Sequence, residues 1–370
     1  MGTVVLQNVW KHYGKVEAVK DLSLTCNDGE FLAVLGPSGC GKSSTLRMVA
    51  GLEKATRGTI AIDGQVVNDL EPRHRDIAMA FEAYALYPHL TAFENIAFPL
   101  RIRGVSSSEV EAKVRDIAGI LDIVDVLDRL PRNLSGGQQQ RISFARAMVR
   151  SARVYLMDEP LSHLDAKQRS QLRSELKRLH QLRGLTIVFV THDQIEAMAM
   201  ADRIAVMDHG VLQQLATPKE VFNKAANLFV ADFVGEPPMN LLDVKVEMDG
   251  AAAVLVGNGY TIRLSDARLV EAAGQVAGSE AVFGMRPLHI QFGLGARDDA
   301  LPGESLVRAE VVAFEGLGDT AVLTAKLNGS MIRIETAPEN RTEPGDIITM
   351  RLNPRYMHLF DKKTERNLFH

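Results

Sequence analysis

Gly36-Pro37-Ser38-Gly39-Cys40-Gly41-Lys42-Ser43 matches the pattern G-x-x-x-x-G-K-[ST] at every fixed position. The apolar run Phe31-Leu32-Ala33-Val34-Leu35 stands just before it and reads as a buried strand. Lys42 to Val49 contains neither Gly nor Pro and opens a helix. Strand, glycine loop and helix in that order turn successive backbone N–H groups inward, where they cradle the phosphates of a nucleotide. Gly36, Gly39 and Gly41 permit backbone angles that side chains resist. Lys42 is expected to reach the β/γ-phosphates and the Ser43 hydroxyl to bind Mg²⁺. The run through Ser44, including Pro37, Ser38 and Cys40, is the expected cradle for a nucleoside triphosphate.

Around this loop lies a chain of 370 residues, long enough for two domains. Hydrophobic residues make up 46% and charged residues 24%, which suits a globular protein. A net charge of −4 argues against an open nucleic-acid surface. Two cysteines, Cys26 and Cys40, cannot form a disulfide framework, so an intracellular chain is expected. Cys40 reads as a small tolerated side chain. The amino-terminal residues lack the pattern of a signal peptide. No apolar run approaches the roughly 18 residues of a membrane helix, so any membrane role is expected to be peripheral.

Outward from the loop, short apolar runs alternate with helical patterns. Strands are expected at 31–35, 77–81, 154–157, 186–190 and 203–207, with helices covering a parallel sheet. Leu172, Leu176, Leu179 and Leu182 mark one helix face, and Gly184 ends that helix. Ser106 and Glu109 read as a capping box before an apolar face of Val110, Val114, Ile117 and Leu121. This helix falls between two core strands, which implies a helical insertion over about 85–150. Gly235-Glu236-Pro237-Pro238 is a breaker cluster. The reading is therefore a nucleotide-binding domain over 1–235 and a second domain over 236–370. The tail alternates with period two, and Asn328-Gly329 joins two of its strands as a hairpin, so it reads as a small β barrel or sandwich.

Two further segments complete a catalytic pattern. Val154-Tyr155-Leu156-Met157 runs into Asp158-Glu159. Asp158 is placed to hold the metal and Glu159 to act as general base on the attacking water. A strand that merely ends in charged residues is the other reading. Leu134-Ser135-Gly136-Gly137-Gln138, between the phosphate loop and the carboxylate strand, resembles the signature of the ABC transporter ATPases. In that family two subunits pair head to tail around two ATP molecules, and the signature of one meets the γ-phosphate held by the other. Two glycines, a hydroxyl and a helix N-terminus suit that contact.

The resemblance assigns further residues. Tyr13 stands where an aromatic stacks on adenine, an ordinary surface or core tyrosine being the alternative. Asp165, in Ser162-His163-Leu164-Asp165, falls in the segment that signals between paired sites, and His163 occupies a variable position there. His192 resembles the switch histidine that bonds the γ-phosphate. Glu82 departs from the pattern, since the family usually carries Gln after the strand. A carboxylate there can bind Mg²⁺ and keep the catalytic relay role, at the cost of repelling the γ-phosphate.

Tyr84 to Thr91 and Glu94 to Leu100 resemble the maltose-type importer subgroup, in which this region receives a coupling helix from the permease. The tail resembles the OB-like regulatory domain of the same subgroup through Phe233–Asn240, Gly284-Met285-Arg286-Pro287, Glu315–Gly318 and His358–Asp361. The implied fold is a P-loop NTPase α/β core with a helical insertion, followed by an all-β OB-like domain. The implied activity is that of an ATPase energising import of a carbohydrate or polyol. Other importers, for glycerol phosphate, a polyamine or an inorganic ion, and a non-transport ATP switch are the alternatives. The implied partners are a second ATPase subunit (a copy or a sister chain), two transmembrane permease subunits and, indirectly, an extracytoplasmic solute-binding protein, with no nucleic acid. The implied location is the cytoplasmic face of the inner membrane.

Overall fold

The structure, a computed structural model, describes residues 2–250, 252–264, 266–294 and 305–369. The chain divides into two compact units, Met1–Pro218 and Lys219–His370. The first contains β1 (Val4–Tyr13), β2 (Val16–Cys26), β3 (Phe31–Leu35), α1 (Lys42–Ala50), β4 (Arg57–Ile62), β5 (Gln65–Val66) and β6 (Ile77–Ala80). There follow α2 (Ala92–Arg101), α3 (Ser107–Ile120), α4 (Gly136–Met148), β7 (Val154–Asp158), α5 (Ala166–Arg183), β8 (Ile187–Thr191), α6 (Gln194–Met200), β9 (Arg203–Asp208) and β10 (Val211–Ala216).

A six-stranded sheet runs in the order β10-β9-β3-β8-β7-β6. Its pairs are parallel except for the edge strand β10. Every residue of β3, β7 and β8 is buried, as expected of parallel strands covered on both faces. All five expected strands are present, their bounds differing by a residue or so at the ends. Because β3, β7 and β8 are neighbours with a common direction, their carboxyl ends open on one crevice, the usual ligand position of such sheets.

A second sheet, β2-β1-β4-β5, is antiparallel. Leu6, Leu22 and Ile60 from it share a core with Leu46 of α1 and with Val34, Leu156 and Val188 of the parallel sheet. This sheet is not evident from alternation in the sequence. The register of β1 against β2 shifts at three places, and Asn8 and Asp21 take positive φ. Each irregularity resets the two-residue period on which a strand reading depends.

The insertion holds α2, α3 and α4. Thr91 with Glu94 and Ser135 with Gln138 form full capping boxes at α2 and α4. Ser106 caps α3 by accepting the Glu109 N–H. The Glu109 carboxylate, expected to accept from the Ser106 N–H in return, instead pairs with Lys113, 2.8 Å away. On α5, Leu172, Leu176 and Leu179 are buried and Gly184 closes the helix at φ +58°. Leu182, expected on the same face, is instead 68% exposed, because three successive steps of three or four residues carry it beyond the buried stripe.

The second unit starts with α7 (Pro218–Asn223) and α8 (Leu228–Phe233). Then come β11 (Asn240–Asp249), β12 (Ala252–Val256), β13 (Thr261–Leu264), α9 (Ala267–Gly274), β14 (Glu280–Met285), β15 (Ile290–Leu294) and β16 (Ser305–Gly316). Last are β17 (Ala321–Leu327), β18 (Ser330–Thr336), β19 (Ile347–Leu352) and β20 (Met357–Asp361). Two five-stranded sheets result, β13-β12-β11-β14-β20 and β15-β19-β16-β17-β18. Asn328 and Gly329 both take positive φ and turn β17 into β18, as a two-residue hairpin requires.

The breaker cluster at 235–238 lies inside this unit, and the division falls instead between Pro218 and Lys219. Arg286 supplies the physical reason. It is fully buried, donates from Nε to the Phe222 carbonyl at 3.0 Å, and donates from Nη1 to the Ala231 and Val234 carbonyls. One side chain thus satisfies carbonyls at the ends of α7 and α8 and holds both helices to the β strands. Burial lowers its pKa to about 10.

Candidate functional site

The crevice at the carboxyl ends of β3, β7 and β8 gathers most of the residues singled out in the sequence. The loop after β3 bends through Gly39 and Gly41, at φ +81° and +104°. A Cβ on Gly41 would meet the Ala18 carbonyl oxygen at 2.4 Å, so this position needs glycine both for its angle and for the close backbone approach. Lys42 opens α1 and is 3% exposed. Its Nζ donates to the Gly36 and Pro37 carbonyls at 2.9 Å each, and lies 3.8 Å from Glu159 Oε1. The ammonium is thereby held over the loop it is expected to complete.

Ser43 Oγ donates to Asp158 Oδ1 at 2.8 Å. Asp158 is 5% exposed, and burial pushes its carboxyl above the usual carboxylate range, with the Ser43 bond opposing. Glu159 follows with φ +42°, a sparsely populated conformation for a non-glycine residue. Its N–H donates to the Val190 carbonyl at 2.9 Å and its carbonyl accepts from Ser162 Oγ at 3.0 Å. Those bonds aim its carboxylate at His192, whose Nδ1 lies 2.8 Å from Glu159 Oε2. Lys42, Ser43, Asp158, Glu159 and His192 therefore form one connected cluster.

Other expected residues sit in separate groups. Tyr13 is 42% exposed, with Lys11 Nζ 4.6 Å above its ring and its hydroxyl 3.5 Å from Ser44 Oγ. Glu82 faces the loop that follows Glu159, its Oε1 3.6 Å from His163 Nε2. Tyr84 packs edge-on against the same His163 ring. Ser135 and Gln138 bond each other across the first turn of α4. A Cβ on Gly137 would meet Gln168 Oε1 at 2.1 Å, which places this turn against the start of α5. Asp165 caps α5 by accepting the Gln168 N–H at 2.8 Å.

Reading the sequence for motifs passed over the polar groups behind Glu159 and His192. Arg169, Thr191, Asp193 and Glu196 surround the pair. The signal was present only as spacing: Arg169 stands four residues after Asp165, and Glu196 four after His192. A second feature is an apolar groove of about 520 Å³, lined among others by Leu52, Phe81, Phe98, Pro99 and Ile102. Phe81 and Ile102 are exposed, and the Tyr87 and Phe98 rings pack at a tilt with centroids 4.6 Å apart. Among the described residues no helix is long and apolar enough to cross a membrane, and no group of three or more acidic, histidine or cysteine side chains is arranged to hold a metal ion.

The "ABC transporter" family model matches residues 19–162, and the "MalK OB fold domain" model matches residues 235–290. The trehalose/maltose import ATP-binding protein MalK of Thermococcus litoralis is 46% identical, with 100% of each chain covered. The sulfoquinovosyl glycerol transport ATP-binding protein SmoE of Agrobacterium fabrum is 44% identical, again over 100% of both. An sn-glycerol-3-phosphate import ATP-binding protein, UgpC of Cupriavidus pinatubonensis, is 43% identical over the same full span. Among solved structures, a dimeric ATP-binding cassette in a post-hydrolysis state bound to ADP and Pi aligns with a TM-score of 0.53 at 32% identity. That match covers 58% of this chain and 98% of the other. Full-length identity above 40%, together with a phosphate-loop core and an OB-fold second domain, places this chain in the family of MalK-type ATP-binding subunits of ABC transporters, which are ATPases coupled to transport.

Proposed function

We propose that this chain hydrolyses ATP as one half of a dimer that drives a carbohydrate or polyol importer. The observation that carries the reading is the cluster joining Lys42, Ser43, Asp158, Glu159 and His192 at the ends of three adjacent strands. In this reading Lys42 leaves the Gly36 and Pro37 carbonyls for the β- and γ-phosphates, where charge-assisted bonds contribute about 1.5–3 kcal/mol each. Tyr13 stacks on adenine. Ser43 Oγ and the Asp158 carboxylate, 2.8 Å apart, are hard oxygen donors of the kind Mg²⁺ takes beside phosphate and water, so the residues fit that ion. Bound there, Mg²⁺ supplies neutralisation of the phosphate charge. Glu159 takes the proton of the attacking water. His192 holds the Glu159 carboxylate and bonds the γ-phosphate.

Ser135, Gly136, Gly137 and Gln138 present a helix N-terminus to the nucleotide of a second subunit, and Asp165 lies at the same seam. The dimer closes on ATP and opens after hydrolysis, a population shift driven by a ligand that bridges the two halves. Glu82, beside the loop that leads to Asp165, links the site to the groove at Phe81 and Phe98. That groove is where a helix of the membrane permease seats. The subunit then works peripherally on the cytoplasmic face of the membrane, and the external solute-binding protein acts on it only through the permease. The relatives named for trehalose and maltose or sulfoquinovosyl glycerol support a carbohydrate or polyol cargo, and the one named for sn-glycerol-3-phosphate supports a glycerol phosphate as the second reading.

The test is Glu159→Gln in the full-length protein. General-base loss lowers turnover by about 10²–10⁴-fold, ATP still binds, and size-exclusion chromatography with ATP shows a lasting dimer. Normal turnover in this variant refutes the assignment of the base. Co-purification of the membrane subunits that travel with the chain then identifies the cargo class.

A further inference from the structure

The proposed chemistry depends on two loops meeting. One follows β7 and carries Glu159; the other follows β8 and carries His192. Each comes from a different strand, and the 2.8 Å contact between the two side chains does not by itself fix either backbone. Arg169, in the first turns of α5, reaches both. Its Nη2 donates to the Leu164 carbonyl at 3.2 Å, at the far end of the Glu159 loop. Its Nη1 donates to Asp193 Oδ2 at 3.0 Å, one residue beyond His192.

The His192 side of this bridge is held rigid. Asp193 Oδ1 caps α6 by accepting the Ile195 and Glu196 N–H groups at 2.8 and 3.1 Å. The Asp193 N–H donates to Thr191 Oγ1 at 3.0 Å, and Thr191 Oγ1 donates to Glu196 Oε2 at 2.6 Å. His192 is thus flanked on both sides by residues locked to α6. Glu196 is 2% exposed, and its Oε1 lies 3.8 Å from Arg169 Nε, so the guanidinium faces two carboxylates. Arg169 Nε itself has no hydrogen-bond partner among the described residues. A flat fork with several donors can hold a carbonyl and a carboxylate at once, which a lysine ammonium on a flexible stem cannot do in fixed geometry.

We propose that Arg169 is a positioning residue for the Glu159–His192 pair, tying the loop after the base to the loop of the histidine so that the two side chains meet. This rests on the function proposed above. Arg169 touches neither Glu159 nor His192 by hydrogen bond, so it acts through their backbones. It is part-exposed, so its pair with Asp193 contributes little to folding free energy, and the buried Glu196 that its Nε faces at 3.8 Å keeps the bond it accepts from Thr191 Oγ1. Its effect therefore belongs in the rate of the chemical step, where small misplacements are costly.

The experiment is a mutant cycle on the full-length protein, with Mg-ATP turnover measured by single turnover at excess protein so that slow residual rates are read. Arg169→Gln is expected to lower the rate about tenfold or more, with ATP affinity within about twofold and the unfolding midpoint nearly unchanged. In a His192→Ala background the same change is expected to cost less than about twofold, because the residue it positions is gone. Asp193→Asn keeps the helix-cap acceptor but removes the charge that Arg169 bonds, and is expected to give the same pattern if Arg169→Gln folds poorly. An unchanged rate, a parallel loss of ATP affinity, or an equal loss in both backgrounds overturns the proposal. Full activity in Glu159→Gln or His192→Ala would instead overturn the proposed function, so the two failures are told apart.

Discussion

At the scale of single residues, charge and burial around the phosphates set the chemistry. Glu82 stands where the resemblance leads to an expected Gln. It stands beside His163 at 3.6 Å with both side chains more than half exposed. Such a pair neutralises little in water. A carboxylate brought near the γ-phosphate then relies on Mg²⁺ to screen it. Glu82→Gln is therefore expected to reach half-maximal ATPase at a lower free Mg²⁺ concentration. A Mg²⁺ titration of both proteins at fixed ATP checks this, and superimposable curves refute it. Glu159 illustrates another residue-scale effect. Its positive φ costs about 1–3 kcal/mol, which the bonds from Glu159 N–H to Val190 and from Ser162 to the Glu159 carbonyl offset.

At the scale of elements, the two glycine-bearing helix starts respond differently to the same substitution. At Gly41 a methyl group meets a backbone carbonyl of β2 at 2.4 Å, and the residue also has φ +104°. Backbone cannot withdraw cheaply, so Gly41→Ala is expected to destabilise by about 2–3 kcal/mol and to abolish nucleotide binding. At Gly137 the obstacle is the end of the flexible Gln168 side chain, and the position lies inside a helix where Ala is favoured. Gly137→Ala is expected to leave stability within about 0.5 kcal/mol while lowering ATP turnover, since the added methyl occupies the surface proposed to approach phosphate. Thermal unfolding and ATPase assays on the two variants separate the cases. Equal stability loss at both positions contradicts the argument.

At the scale of the molecule, a single buried cation organises the second unit. Arg286 is fully buried; among the described residues it bonds carbonyls and no carboxylate, and it lies over the Phe222 ring at 4.3 Å. Burying an unpaired charge is costly, as its lowered pKa of about 10 records. Deleting it strands three carbonyls, at about 1–3 kcal/mol each, and removes a cation–π contact. The second loss exceeds the first, so Arg286→Met is expected to destabilise the second unit by about 2–4 kcal/mol. Urea unfolding followed by circular dichroism measures this. A more stable Arg286→Met protein shows that the buried charge outweighs its bonds.

Local pattern was enough for the phosphate loop, the five parallel strands, the carboxylates after Met157 and the hairpin at Asn328-Gly329. Each depends on contiguous residues whose period, turn angles or spacing carry the information. Long-range pairing was needed for the rest. The bulged antiparallel sheet, the attachment of 219–234 to the second unit through Arg286 and the Arg169 bridge all join residues distant in sequence. No local period encodes them. Chemistry written along the chain becomes a site only when β3, β7 and β8 lie side by side, because hydrogen-bonded strands bring together side chains that are more than a hundred residues apart.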